Sequence, residues 1–138
     1  MLFLFLSLSS AHADNSWKTD LEAALAEAKS QNRYVLVDFT GSDWCGWCIK
    51  LDKEVFSQEA FKRFAADNLI LVEIDFPRKA SQSKELKAKN KKLAEKYGIR
   101  GFPTILVLSP DGGLVGKTGY KAGGAEAYVA HLEEIIKK

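Results

Sequence analysis

Cys45 and Cys48 are the only two cysteines of the chain, and two residues separate them. A C-x-x-C pair can cycle between dithiol and disulfide, contribute to a zinc site, or attach haem covalently. In disulfide exchange the reactive species is the thiolate, so the surroundings of each sulfur decide its reactivity. The spacing is therefore compatible with three functions, and the other residues of the chain must decide among them.

The remaining residues argue against a metal or a haem group. Structural zinc needs about four ligands, and the only histidines, His12 and His131, are too few to complete such a set. Covalent haem attachment needs a histidine directly after the second cysteine, where this chain has Ile49. We therefore expect no metal and no cofactor. A purely structural disulfide stays open as an alternative, although it would close a very short loop.

The cysteine pair follows a predicted strand and begins a predicted helix. Residues 34–39 form a nearly continuous apolar run, typical of a buried strand, and helical spacing resumes at Cys45. Unpaired N–H groups and the positive end of the helix dipole stabilise an anion at this position. Cys48 lies one turn later on the same helix face. We expect Cys45 to attack a disulfide and Cys48 to resolve the mixed disulfide, with Trp44 and Trp47 as flanking docking surfaces or, alternatively, as core residues.

The apolar periodicity predicts an α/β sandwich with a mixed sheet. A first helix is expected over residues 16–32, capped by Asn15 or Ser16. Further helices and strands are expected to alternate and to end with a hairpin and a last helix. The expected strands cover residues 34–39, 69–75, 104–108 and 114–119. Later helices are expected to begin near residues 45, 57 and 125, and a surface loop from residue 78 is expected to lead into a helix that ends at Tyr97-Gly98.

Composition indicates a single soluble domain. The chain has 138 residues, of which 46% are hydrophobic and 28% charged, and its net charge is +2. That small charge gives no case for a nucleic-acid partner. Residues 78–96 are rich in Lys and Arg. A solvated helix face is favoured there over a patch for anionic partners.

The first 13 residues resemble a secretory signal peptide. An apolar run over residues 1–8 is followed by Ala11-His12-Ala13, a small-residue pattern typical of a cleavage site. The run is too short to span a bilayer as a helix. No basic residue precedes it, so a disordered or buried N-terminal segment is the alternative. We expect a signal peptide at 1–13 and one domain over 14–138, with no stable membrane insertion after the signal is removed.

Four segments together resemble the thioredoxin superfamily over residues 17–138. They are residues 37–39 (Val-Asp-Phe), 44–48 (Trp-Cys-Gly-Trp-Cys), 97–104 (Tyr-Gly-Ile-Arg-Gly-Phe-Pro-Thr) and 119–120 (Gly-Tyr). The resemblance is closer to exported thioredoxin-like proteins, and it implies a thioredoxin-like three-layer sandwich. It also implies a cis peptide between Phe102 and Pro103, in a loop that packs against the cysteines and pairs with substrate. Asp38 matches the buried acid that exchanges protons with the inner thiol.

The sequence departs from the thioredoxin pattern at three points. One extra residue separates Asp38 from Cys45, and we place it in the Gly41-Ser42 turn. The lysine that often partners the buried acid is not evident. Gly46-Trp47 stands between the cysteines and supplies no histidine cation, which favours a reducing or isomerising protein over a strong oxidant.

The predicted function is therefore thiol–disulfide exchange with protein substrates. The predicted partners are disulfide- or dithiol-containing proteins and an unidentified redox protein that recharges the pair. We expect a monomer in a bacterial periplasm. The alternative is a thioredoxin-fold binding or chaperone-like module that has no redox turnover.

Overall fold

A computed structural model describes residues 17–137. The signal peptide predicted for residues 1–13 lies outside the described residues and stays a prediction. The helices are α1 (Leu21–Gln31), α2 (Gly46–Leu51), α3 (Glu59–Asn68), α4 (Lys84–Lys96) and α5 (Gly124–Ile136), with a π-helical turn over Asp52–Phe56. The strands are β1 (Tyr34–Thr40), β2 (Leu69–Asp75), β3 (Thr104–Leu108) and β4 (Leu114–Thr118).

The four strands form one mixed sheet in the order β2-β1-β3-β4. β1 pairs in parallel with β2 and antiparallel with β3, and β4 returns from β3 as an antiparallel hairpin. β1 thus has a partner strand on each side, and six of its seven residues are buried. The mixed α/β sheet predicted from the sequence is confirmed.

Helices cover both faces of the sheet, so the three-layer sandwich is also confirmed. Successive side chains of a strand point to opposite faces. Leu36 packs in one core with Phe61 of α3 and Tyr128 of α5. Val35 packs in the other core with Ala28 of α1 and, at its margin, Leu93 of α4. The two cores hold β1 from both sides.

The first helix begins later than predicted. It starts at Leu21, and Asp20, not Asn15 or Ser16, caps it by accepting a hydrogen bond from the Ala23 N–H at 3.2 Å. The reason is that Lys18 exchanges two backbone hydrogen bonds with β2, to Leu71 and Glu73. These bonds keep residue 18 extended, so the helix cannot include it.

None of the helices in residues 17–137 is long and apolar enough to cross a membrane.

Candidate active site

Cys45 and Cys48 form a disulfide at the start of α2. Their Cα atoms are 5.2 Å apart, and both residues are buried, with 7% and 5% of their surfaces exposed. Cys45 is the N-cap residue, and its sulfur accepts a hydrogen bond from the Cys48 N–H at 3.2 Å. The predicted position of Cys45 at a helix N-terminus is confirmed.

A turn over residues 41–44 carries the chain from β1 to Cys45. The Gly41 carbonyl accepts hydrogen bonds from the N–H groups of Trp44 and Cys45, at 3.2 and 2.9 Å. Asp38 lies inside β1. The strand therefore ends after Asp38 and the turn follows it, so the expected place of Asp38 on the strand is confirmed.

This turn is bound to the loop that follows β2. Ser42 donates from its N–H and its hydroxyl to the Asp75 carboxylate, at 3.0 and 2.5 Å. The Asp43 carboxylate accepts from the successive N–H groups of residues 78, 79 and 80, at 2.9, 2.8 and 2.7 Å. These backbone donors hold the pKa of Asp43 below its ordinary value. The two loops therefore form one hydrogen-bonded unit.

Trp44, which directly precedes Cys45, is half-buried. Its Nε1–H donates to the Phe76 carbonyl at 2.7 Å. Its ring meets Phe102 edge-on at 5.9 Å between centroids. The Arg78 guanidinium lies 3.6 Å from the ring centroid, well inside cation–π range. Trp44 thus connects the cysteines, the loop after β2 and the loop that contains Phe102 and Pro103, termed here the proline loop.

Trp47 is 57% exposed and is therefore not a core residue. Its ring packs on Tyr120 at 5.0 Å between centroids. The Lys50 ammonium lies 5.1 Å from the Trp47 centroid and 5.4 Å from the Tyr120 centroid. Tyr120 donates to the Glu54 carboxylate at 2.5 Å. These contacts hold an exposed aromatic surface beside the disulfide.

The peptide bond between Phe102 and Pro103 is cis, as the resemblance implied. Both residues are half-buried and directly precede β3. Gly119 lies against this loop, because a Cβ atom there would be 3.1 Å from the Pro103 carbonyl oxygen. Tyr128 of α5 donates to the Gly119 carbonyl at 2.8 Å. Gly119 and Tyr128, which follow β4 in the sequence, therefore support the proline loop.

Asp38 is buried beneath the pair, with 8% of its surface exposed. Together with Cys48, Asp52 and Glu73 it lines a cavity of about 190 Å³. Its Oδ1 atom has no hydrogen-bond partner among the described residues. Burial, and then the charges of Glu73, Asp52 and Asp75, hold the pKa of Asp38 well above its ordinary value. Its register partner on β2 is Glu73, whose own pKa is raised by burial and by Asp75 and Asp52.

Several residues at the site were not identified from the sequence. They are Asp43, Asp52, Arg78 and Tyr120. Parallel strands place their carboxyl ends at one edge of a sheet, so the loops after residues 40 and 75 could have been expected to meet. Nothing in the sequence pattern indicated the stacking of Arg78 on Trp44 or of Tyr120 on Trp47.

Residues 17–137 contain no cluster of three or more His, Cys, Asp or Glu side chains that could hold a metal ion.

Gly41→Ala should loosen the turn before the cysteines. The added Cβ atom would lie 2.6 Å from both Cζ2 and Nε1 of Trp44, so the indole must shift away from the Phe76 carbonyl. We expect a loss of about 1–3 kcal/mol in the free energy of unfolding and a change in tryptophan emission. Gly46→Ala is the matched control, because nothing lies within 4 Å of its added Cβ atom. Equal stabilities of the two variants in urea would contradict this account of Trp44.

Asp38→Asn should change how stability depends on pH. Because the pKa of Asp38 is raised on folding above 3.8, the folded chain keeps a proton that the unfolded chain loses. Stability therefore falls as pH rises between the two values. Asn cannot ionise, so the stability of the variant relative to the parent should rise with pH above about 4 and level off once folded Asp38 ionises.

The measurement is urea unfolding of parent and variant over a pH series. Asp67→Asn, which removes a carboxyl at an exposed position of α3, serves as the control. Parallel stability curves for the parent and Asp38→Asn would rule out a raised pKa at Asp38.

Comparison with known proteins places this fold and site in a family. A family model described as a thioredoxin-like domain matches residues 21–136. Disulfide bond reductase DsbH of Chlamydia pneumoniae is 36% identical over 127 residues, covering 92% of this chain and 76% of DsbH. A solved structure of DsbH oxidoreductase has a TM-score of 0.83 and 36% identity, covering 88% of this chain and 84% of that one.

A second relative is longer than this chain. Thioredoxin-related protein DsbJ of Chlamydia pneumoniae is 26% identical over 151 residues, and the match takes in 99% of this chain but 43% of DsbJ. These relatives give no support to the alternative of a binding module without redox turnover. The family match extends from α1 to α5 and includes the disulfide, the proline loop and Asp38. The chain belongs to the thioredoxin-like family and is a thiol–disulfide oxidoreductase, with Cys45 and Cys48 as its C-x-x-C pair.

Proposed function

We propose that this chain reduces disulfide bonds in protein substrates, with Cys45 as the attacking thiolate. The observation that carries the proposal is the position of Cys45 as the N-cap of α2, where its sulfur accepts the Cys48 N–H. A hydrogen bond to the charged form favours that form and lowers the thiol pKa. Cys48 is the more deeply placed sulfur, since it lines the cavity above Asp38.

The reduction runs in two exchange steps. The Cys45 thiolate attacks one sulfur of the substrate disulfide, forms a mixed disulfide and releases the first substrate thiol. The Cys48 thiolate then attacks the Cys45 sulfur, forms the Cys45–Cys48 disulfide and releases the second substrate thiol. Two electrons pass from the pair to the substrate, and a separate redox partner must return them.

Asp38 is proposed to carry the proton of Cys48. The second step needs Cys48 as a thiolate, so a base must take its proton. Asp38 shares the cavity with Cys48, and its Oδ1 is unpartnered among the described residues. The raised pKa of this carboxyl makes it a better proton acceptor than an ordinary aspartate. Glu73, the register partner of Asp38 on β2, contributes to the raised pKa of Asp38.

The substrate chain is proposed to dock on the surfaces around the disulfide. Trp47 offers an exposed aromatic face, held by Tyr120 and Lys50. Phe102 and Pro103 offer a half-buried loop next to Trp44. Aromatic side chains give large contact areas at low cost in conformational entropy, which suits binding of varied protein substrates.

Two features support the reductive direction. Gly46-Trp47 places no cation between the cysteines, so the reduced form lacks the added thiolate stabilisation that makes an oxidant. The relative DsbH, 36% identical, is named a disulfide bond reductase. Isomerisation uses the same first step and is the second candidate.

Export is proposed from residues 1–13, whose apolar run and Ala-His-Ala end are typical of a signal peptide. A bacterial periplasm and a monomeric state complete the proposal. In an exported setting the pair meets substrates whose disulfides persist.

Cys48→Ser should trap substrates. Without the resolving thiol, the mixed disulfide on Cys45 has no internal route to release, so covalent complexes should accumulate and should disappear with added dithiothreitol. Cys45→Ser is the control and should trap no substrate and reduce none. The measurement is mass spectrometry of the variant after mixing with a disulfide-containing peptide. Complexes of Cys45→Ser but not of Cys48→Ser would reverse the two roles.

The reduction potential of the pair should lie near the reducing end of the range from about −270 to −120 mV that exchange proteins cover. The protein without residues 1–13 is equilibrated in graded thiol–disulfide buffers and alkylated, and the mass shift is counted. A value near the oxidising end, or a Cys45 pKa near the lowest values of about 3.5, would contradict the reductive direction. Failure to cycle over the whole range would contradict exchange activity.

A further inference from the structure

Residues 78–96, termed here the basic segment, separate charge within the chain. Eight of the twenty Lys and Arg residues but only two of the eighteen Asp and Glu residues lie in this segment, which gives it a net charge of +6. The rest of the chain is therefore at −4, since the total is +2. A field of one sign over so short a stretch raises the local concentration of oppositely charged partners.

The cations of the basic segment are exposed and are not neutralised by ion pairs. All eight residues are exposed to solvent. The ion pairs found within residues 17–137, Lys18–Glu27 and Lys50–Glu54, lie elsewhere. Lysines three and four apart repel each other along α4, as at Lys84, Lys87 and Lys91. Within residues 17–137, Glu85 and Glu95 of the same segment form no ion pair with these lysines.

The basic segment is fixed to the rest of the fold at its first residues and again in the middle of α4. Its first residues donate three N–H groups to Asp43. Within α4, Asn90 is 2% exposed and donates to the Asp75 carbonyl at 3.0 Å. The positive surface is therefore preformed, and binding does not have to order it.

The basic segment begins at the active site. Arg78, its first cation, stacks on Trp44, and Trp44 directly precedes Cys45. From this point the lysines follow α4, whose 13 residues span about 20 Å. An extended peptide of about six residues has the same length. One occupant can thus contact the disulfide and the lysines together.

We propose that the basic segment is a docking surface for acidic polypeptide next to the disulfide of a protein substrate. The inference rests on the proposed reductase function and names its substrate class. The stacking of Arg78 on Trp44, the residue before Cys45, favours a polypeptide over an anionic lipid surface. A substrate that carries both a disulfide and carboxylates satisfies the two sites at once. The solvated face expected from the sequence alone does not account for the stacking of Arg78 on Trp44.

The test uses two synthetic peptides that contain the same disulfide. Four residues beside it are Asp and Glu in one peptide, and Asn and Gln in the other. The measured quantity is the ratio of the second-order rate constants, acidic over neutral, for reduction by the pre-reduced protein. The test variant carries Lys84→Gln, Lys87→Gln and Lys91→Gln. The matched control loses three exposed charges elsewhere, through Lys29→Gln, Lys117→Gln and Lys137→Gln.

For the parent we expect a ratio of about 10 at 10 mM salt, the lower end of electrostatic steering. The test variant should lower that ratio at least threefold, and the control should leave it unchanged. In 1 M salt every ratio should approach 1, because the Debye length falls from about 30 to 3 Å.

Four outcomes would overturn or redirect the inference. If both peptides are reduced but the parent ratio is near 1 at low salt, the docking surface is overturned and the proposed function stands. Reduction of neither peptide overturns the proposed function itself. Equal losses in the two triple variants show an effect of net charge alone, which overturns the inference. Loss of binding to phosphatidylglycerol vesicles in the test variant, with an unchanged peptide ratio, assigns the segment to a lipid surface instead.

Discussion

The site depends on the register of β1 between β2 and β3. The pairing of Thr40 with Asp75 brings the turn before Cys45 to the loop after β2. The pairing of Phe39 with Thr104 brings the proline loop to the same edge. A slip of one residue would turn every β1 side chain to the opposite face and would remove Asp38 from beneath Cys48. Burial of β1 in two cores makes such a slip very costly.

Two aspartates near the cysteines, Asp43 and Asp38, differ in pKa because their surroundings differ. The Asp43 carboxylate accepts three backbone N–H groups, its pKa is lowered, and its charge joins two loops. Asp38 is buried among other acids with one oxygen unpartnered among the described residues, and its pKa is raised. The first suits a permanent structural anion, and the second suits a group that exchanges protons.

The sequence predicted the fold and the central chemistry because both depend on local patterns. Apolar runs identified the strands, and the C-x-x-C pair stood where a strand gave way to a helix. The predicted start of α1 was wrong because backbone pairing of Lys18 with β2 overrode the helical spacing of the apolar residues. The π-helical turn at Asp52–Phe56 was not predicted either. Arg78 was missed because its stacking on Trp44 links residues far apart in sequence, and contacts of that kind follow from tertiary packing alone.

The spacing of the cysteines has a consequence for the newly made chain. Pairing β1 with β2 closes a long stretch of chain, and such non-local contacts form slowly. The folded surroundings of the two cysteines are therefore absent at first, and both sulfurs begin as exposed thiols. Since the chain has only two cysteines, a premature internal oxidation can form just one bond, and that bond is the native one. Early oxidation within the chain thus cannot trap it in a mispaired form, whatever the order in which its strands assemble.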